Sequence, residues 1–172
     1  TTVYEWDGST FTSRGTVSAT MNMYGPLTQN YELDDKVIIT DLNLADVVMT
    51  WDGTTLADVA FTKNDGSTAW TGTFKAKYAA IDHERVVYAN VDDNGSALPH
   101  LIVGSKTSDF TIISNDHSPS SALGEDDPYF LIQPDYKTIN GQVNSFGRMV
   151  TSTDQGRLDE LTGSSAKDFA FE

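Results

Sequence analysis

Val3-Tyr4-Glu5-Trp6-Asp7-Gly8-Ser9-Thr10-Phe11 returns 45 residues later as Val48-Met49-Thr50-Trp51-Asp52-Gly53-Thr54-Thr55-Leu56. Each copy reads as a strand, a tight turn and a second strand. Asp-Gly between alternating apolar residues is the strongest short-range hairpin signal, because glycine takes the positive φ that a two-residue turn needs. Trp6, Asp7 and Gly8 therefore match Trp51, Asp52 and Gly53 as a structural repeat. A period of roughly 40–50 residues is that of four-stranded blades, which points to a β-propeller-like architecture. A tryptophan placed before such a turn in two copies is expected to pack between sheets, as a repeated core residue does.

Working outward, the rest of the chain keeps the same character. Segments with period-two or β-branched patterns recur at 16–23, 36–40, 46–51, 54–62, 72–79, 85–91, 98–104, 109–114, 129–132, 142–152 and 157–161. Turn signals separate them: Asp65-Gly66, Asn94-Gly95, Asn140-Gly141 and Gln155-Gly156 join the two Asp-Gly pairs already named. Short helical pieces are expected only at 120–123 and 42–46. The longest irregular stretch, 115–128, has a length usually retained for contacts. The expectation is one all-β domain over residues 1–172, built from about three to four antiparallel hairpin repeats. It is propeller-like, as a complete or an incomplete ring, with a β-sandwich or jelly roll as the alternative.

Composition bounds the function. The 172 residues include 25 acidic and 11 basic side chains, a net charge of −14 shared by both halves of the chain, and no cysteine. An acidic surface repels phosphate backbones, which argues against direct sequence-specific nucleic-acid binding. Without cysteine there are no disulfides and no thiolate zinc sites. No apolar run approaches the ~18–20 residues that span a bilayer, so membrane insertion is not expected, and no signal-peptide pattern opens the chain.

Two turns resemble the Asp-box of sialidase-type propellers: Ser152-Thr153-Asp154-Gln155-Gly156-Arg157-Leu158, and Thr62-Lys63-Asn64-Asp65-Gly66-Ser67-Thr68-Ala69-Trp70. In that family the box is architectural, and catalysis rests on an arginine cluster, a tyrosine and an acid. Here only Arg14, Arg85, Arg148 and Arg157 are present, and none lies in the family's arginine-containing opening motif. A broader resemblance spans residues 78–172. Ile81-Asp82-His83-Glu84-Arg85-Val86-Val87-Tyr88-Ala89, Ser114-Asn115-Asp116-His117-Ser118-Pro119-Ser120-Ser121-Ala122-Leu123, Ile139-Asn140-Gly141-Gln142-Val143 and Phe146-Gly147-Arg148-Met149-Val150-Thr151-Ser152 are similar to propeller-bearing tail or nozzle proteins of short-tailed bacteriophages. That resemblance implies a structural virion subunit in a ring, partnered by copies of itself or by other virion proteins.

Candidate chemistry is sparse. Asn90, Asp92 and Asn94, followed by Gly95, match the first half of a calcium loop, with oxygen ligands at alternate positions and glycine at the sharp turn. Leu98 and Leu101 then stand where later ligands belong, so an ordinary turn between strands is the simpler reading and no cofactor is expected. Glu125, Asp126, Asp127 and Pro128, with Ser118 and Pro119, mark the long loop as a candidate intersubunit contact, since proline lowers the ordering cost of binding. His83, His100 and His117 have no histidine neighbour at ligand spacing. There is no Gly-x-Ser-x-Gly elbow, phosphate loop or His-Glu-x-x-His, and no catalytic residue is assigned. Trp6, Trp51 and Trp70 with Tyr4, Tyr24 and Tyr31 offer a sugar-stacking platform as the competing use of the aromatics. The expected function is structural assembly, with a carbohydrate-binding module or adhesin as the alternative and a sialidase-like glycosidase behind it.

Overall fold

The computed structural model describes residues 1–28, 36–64, 69–70, 72–114, 125–145, 148–162 and 170–171. The chain is all-β, with antiparallel sheets and one sheet curled into a half-barrel, an arrangement compatible with a propeller-like or a sandwich fold. Its strands are β1 (Thr2–Trp6), β2 (Phe11–Thr16), β3 (Met23–Thr28), β4 (Val37–Asp41), β5 (Met49–Trp51), β6 (Leu56–Asp58), β7 (Phe74–Asp82), β8 (Arg85–Asp93), β9 (Ser96–Lys106), β10 (Asp109–Ile113), β11 (Tyr129–Ile132), β12 (Ile139–Ser145), β13 (Arg148–Thr153), β14 (Leu158–Thr162) and β15 (Ala170–Phe171). Apart from the two-stranded β1-β2 sheet, the order is β3-β4-β5-β6, then β7-β8-β9-β10 with β11 also on β9, then β12-β13-β14-β15. Among the described residues no helix is long and apolar enough to cross a membrane.

The middle sheet explains the layering. β8 reads Arg-Val-Val-Tyr-Ala-Asn-Val and is buried throughout these residues, so both of its faces must be covered. Val86 and Tyr88 point into one core with Ile38 of β4 and Val48, just ahead of β5. Val87 and Ala89 point into a second core with Ile139, Met149 and Leu161 of the β12–β15 sheet. The β3–β6 and β12–β15 sheets therefore lie on opposite faces of the middle one. At Asn90 the ladder to β9 shifts register and φ is +53°, a bulge that returns Val91 to the face of Tyr88.

The close approach of β9 and β11 depends on a missing side chain. Gly104 pairs with Tyr129, and a Cβ at Gly104 would stand 2.1 Å from the Tyr129 ring. Glycine at this position lets the fully buried ring lie flat on the sheet.

Several local expectations are corrected. Residues 16–23 are not one strand: β2 ends at Thr16, and the chain bends before β3 begins at Met23. Residues 42–46 are not helical, because the buried Asp41 carboxylate gathers the N–H groups of Asn22, Asn43, Ala45 and Asp46 at 2.7–3.0 Å. Side-chain bonds of this kind compete with helix formation by offering the backbone other acceptors. The stretch 142–152 is divided between the antiparallel strands β12 and β13. Asn140-Gly141 is no turn but an irregularity inside β12. The tight β7–β8 turn is instead made by His83 and Glu84, at φ +47° and +61°, with no glycine to announce it. Asp65-Gly66 and the 120–123 segment lie outside the described residues.

Candidate assembly surface

The two repeated hairpins have the same local build. Trp6 pairs with Phe11 and Trp51 with Leu56. Asp7 Oδ1 accepts the N–H groups of Ser9 and Thr10 at 2.8 and 2.7 Å, and Asp52 Oδ1 accepts those of Thr54 and Thr55 at the same distances. Gly8 and Gly53 supply φ of +99° and +89°. The N–H groups of Thr10 and Ser9 hold the Asp7 carboxyl below its usual range, and those of Thr55 and Thr54 do the same for Asp52.

Their surroundings differ. Val48 enters the core shared with the middle sheet, so strand alternation puts Trp51 on the other face, where β2 reaches Trp51 and its partner Leu56. The Arg14 guanidinium lies 5.4 Å from the centre of the Trp51 ring, and Gly15 packs so closely that a Cβ there would be 3.1 Å from Leu56 Cδ2. The β1–β2 hairpin thus forms a further layer on the outside of the β3–β6 sheet. Backbone bonds between Thr1 and Val17 close its open end, and Asp46 accepts the Ser18 N–H.

Tyr4, Trp6 and Phe11 occupy the opposite face of that hairpin and are 57%, 53% and 68% exposed. The Trp6 and Phe11 rings lie 4.6 Å apart at 35°, and Tyr4 meets Phe11 edge-on at 6.5 Å. The expectation that both tryptophans pack between sheets is overturned for Trp6, which faces outward, while Trp51 is half-buried under Arg14 of β2. Normal amphipathic order is reversed in this hairpin. Its inner face half-buries the Glu5–Arg14 ion pair, at 2.5 Å, beside Val3, while its aromatic face is outermost. Sequence pattern alone would have turned the aromatics inward. The only signal of the reversal is that Glu5 and Arg14 lie on the side that Gly15 leaves open for close packing.

The loop candidates have structural tasks. Arg85 is buried, and its guanidinium donates to the carbonyls of Ser105 at 2.9 Å, Asp127 at 2.8 Å and Glu125, with Asp126 at 3.4 Å. The Thr107 N–H adds a bond to the Asp126 carbonyl. Glu125, Asp126 and Asp127 are therefore pinned through their backbones, with the side chains of Glu125 and Asp126 exposed and Pro128 buried. Loss of water around Arg85 lowers its proton affinity, and the carboxylates of Asp126, Asp127 and Asp82 oppose that effect. Ser118 and Pro119 lie outside the described residues.

Asn90, Asp92 and Asn94 are likewise committed to the fold. The buried Asn90 amide donates to the Ile139 carbonyl at 2.7 Å, tying β8 to β12. Asp92 accepts the Gly95 N–H at 2.8 Å, and Asn94 sits at φ +51° with its N–H on the Thr73 carbonyl. Among the described residues no group of three or more histidines and carboxylates is placed to hold a metal. His83 Nδ1 lies 2.9 Å from the buried Asp82 carboxylate, and the His100 ring meets Tyr136 edge-on.

Trp70 joins Phe61, Phe74 and Tyr88 in an edge-to-face aromatic group beside a cleft of about 340 Å³ lined by 58–61, Ala69, Trp70 and 72–74. Burial raises the Tyr88 and Tyr129 hydroxyls far above the ordinary phenol value, so both stay neutral. The Tyr24 side chain and Tyr31 lie outside the described residues; of the other aromatics of the supposed sugar platform, Tyr4 and Trp6 share the outer face of β1, whereas Trp51 and Trp70 lie apart from them. No protein-family model, curated protein or solved structure matches this chain.

Proposed function

We propose that this chain is a non-catalytic structural subunit that works by protein–protein assembly, with the Tyr4–Trp6–Phe11 face as its contact surface. The observation that carries the reading is the reversed hairpin. An ion pair is half-buried inside, and three aromatic side chains face outward, where covering them removes apolar area from water. The matching face of the second hairpin is half-covered by Arg14 and Gly15. Aromatics of this kind are the usual anchors of protein interfaces. The resemblance of residues 78–172 to tail proteins of short-tailed phages suggests the virion as the setting, with copies of this chain or other virion proteins as partners.

The same rings also present themselves to a glycan, the second reading. Trp6 and Phe11 turn toward each other at 4.6 Å, which spends ring area that a sugar would use. Sedimentation velocity over a concentration series tests the proposal. The wild-type chain should grow in mean mass with concentration, and a Trp6→Ser, Phe11→Ser double variant should remain monomeric with an unchanged circular dichroism spectrum. A wild-type chain that stays monomeric at every concentration, with Trp6 fluorescence responding to a glycan panel, would overturn it in favour of the glycan reading.

A further inference from the structure

The β3–β6 and β12–β15 sheets pack on opposite faces of the middle sheet, and β2 reaches the β3–β6 sheet from its outer side at Trp51 and Leu56. Among the described residues two outward faces stand exposed. One carries Tyr4, Trp6 and Phe11. The other is the outer face of β13 and β14, where burial alternates so that Met149, Thr151, Asp159 and Leu161 point inward. Arg148, Val150, Ser152, Leu158 and Glu160 consequently face out. Leu158 is 70% exposed, and Arg148 is exposed with one nitrogen 3.4 Å from Glu160.

Resting on the assembly reading above, we infer that the aromatic face of one copy docks on the Arg148–Leu158 face of a second copy, head to tail. The internal contact between the two hairpins supplies the pattern. There β2 brings the Arg14 guanidinium over the Trp51 ring; the β12–β15 sheet offers an exposed guanidinium in Arg148 and, further along the same face beside Ser152, the apolar Leu158. The complementarity is electrostatic as well as apolar. The aromatic face has electron-rich rings with Asp7 at its turn, and Arg148 is one of only 11 basic side chains in a chain of net charge −14. Because the two faces differ, the contact is heterologous: each copy keeps one free face of each kind, so association continues into a ring or a filament. The β12–β15 sheet thereby acquires a role that its own packing does not require.

Mixing separates this arrangement from other modes of association. Trp6→Ser removes the aromatic anchor, and Arg148→Glu or, independently, Leu158→Glu spoils the opposite face. Both latter positions are exposed, and circular dichroism checks that each variant is folded. Each single variant should need roughly thirtyfold more protein to associate than the wild type, the loss typical of an interface anchor. An equimolar mixture of Trp6→Ser with Arg148→Glu should form dimers and nothing larger, because one intact contact survives between unlike variants. If the wild type assembles and Trp6→Ser does not, but both β13–β14 variants assemble normally, the head-to-tail arrangement is wrong while the aromatic surface stands. A mixture that stays monomeric also overturns it. A wild-type chain that never associates removes the underlying assembly reading itself.

Discussion

Replacing Arg85 with methionine is the sharpest test of how the long loop is held. Methionine fills much of the same volume but donates no hydrogen bond. Three strong acceptors, the carbonyls of Ser105, Glu125 and Asp127, would lose their donor, two of them at 2.8–2.9 Å in the native protein. Hydrogen bonds to a charged group contribute about 1.5–3 kcal/mol each, and an unsatisfied buried polar group costs about 1–3 kcal/mol. These terms are not additive, because residues 125–128 can swing out and let water reach their carbonyls. The Ser105 carbonyl, at the end of a central strand, has no such escape. The expected loss is therefore about 2–4 kcal/mol, on the order of one to two hydrogen bonds to a charged group. Urea unfolding followed by fluorescence measures it. Limited proteolysis should meanwhile show new cleavage near 125–128 at urea concentrations far below the midpoint. Arg85→Lys should recover only part of the loss, since a point charge cannot span carbonyls on two separate segments. A loss under about 1 kcal/mol with no new cleavage would refute the view that the guanidinium fastens the loop.

Gly104→Ala should destabilise by about 3 kcal/mol or more, seen as a lower urea midpoint, because its methyl group falls inside the Tyr129 ring and overpacking of this kind is relieved only by moving a central strand. At Asp41 burial alone would raise the carboxyl, but the N–H groups of Asn22, Asn43, Asp46 and Ala45 outweigh it and hold the group below its ordinary value of 3.8. Its contribution to stability is thus full above that value and is lost as pH falls through the lower native one. Asp41→Asn should flatten the acid limb of a stability–pH profile, and an unchanged limb would count against this account. Chelator should lower the melting temperature by no more than about one or two degrees, since Asn90 and Asp92 are engaged with protein N–H and carbonyl groups; a large drop in a calorimetric scan would return them to the list of ligands.

Much of the local structure was legible in the residues themselves. Asp-Gly pairs between alternating apolar residues specify hairpins because turn chemistry and pleat act over a few residues, and the β5–β6 and β1–β2 turns share their bonds for that reason. The apolar run 85–91 was likewise legible as a strand, and its pairing with 98–104 across Asn94-Gly95 follows from the short connection. What lay beyond the sequence was everything decided by a distant neighbour. Nothing near His83-Glu84 announces a tight turn; it exists because β7 and β8 are long, well-packed partners that hold two side chains in a costly backbone region. Asn90 resembles a ligand until the Ile139 carbonyl, 49 residues away, accepts its amide. Trp6 and Trp51 cannot be told apart by their motifs, since hairpin geometry does not say which face another layer will cover. That choice was made by Gly15 and Arg14 closing on Leu56 and Trp51, a contact between segments some 40 residues apart, and it is tertiary packing that leaves Trp6 facing outward.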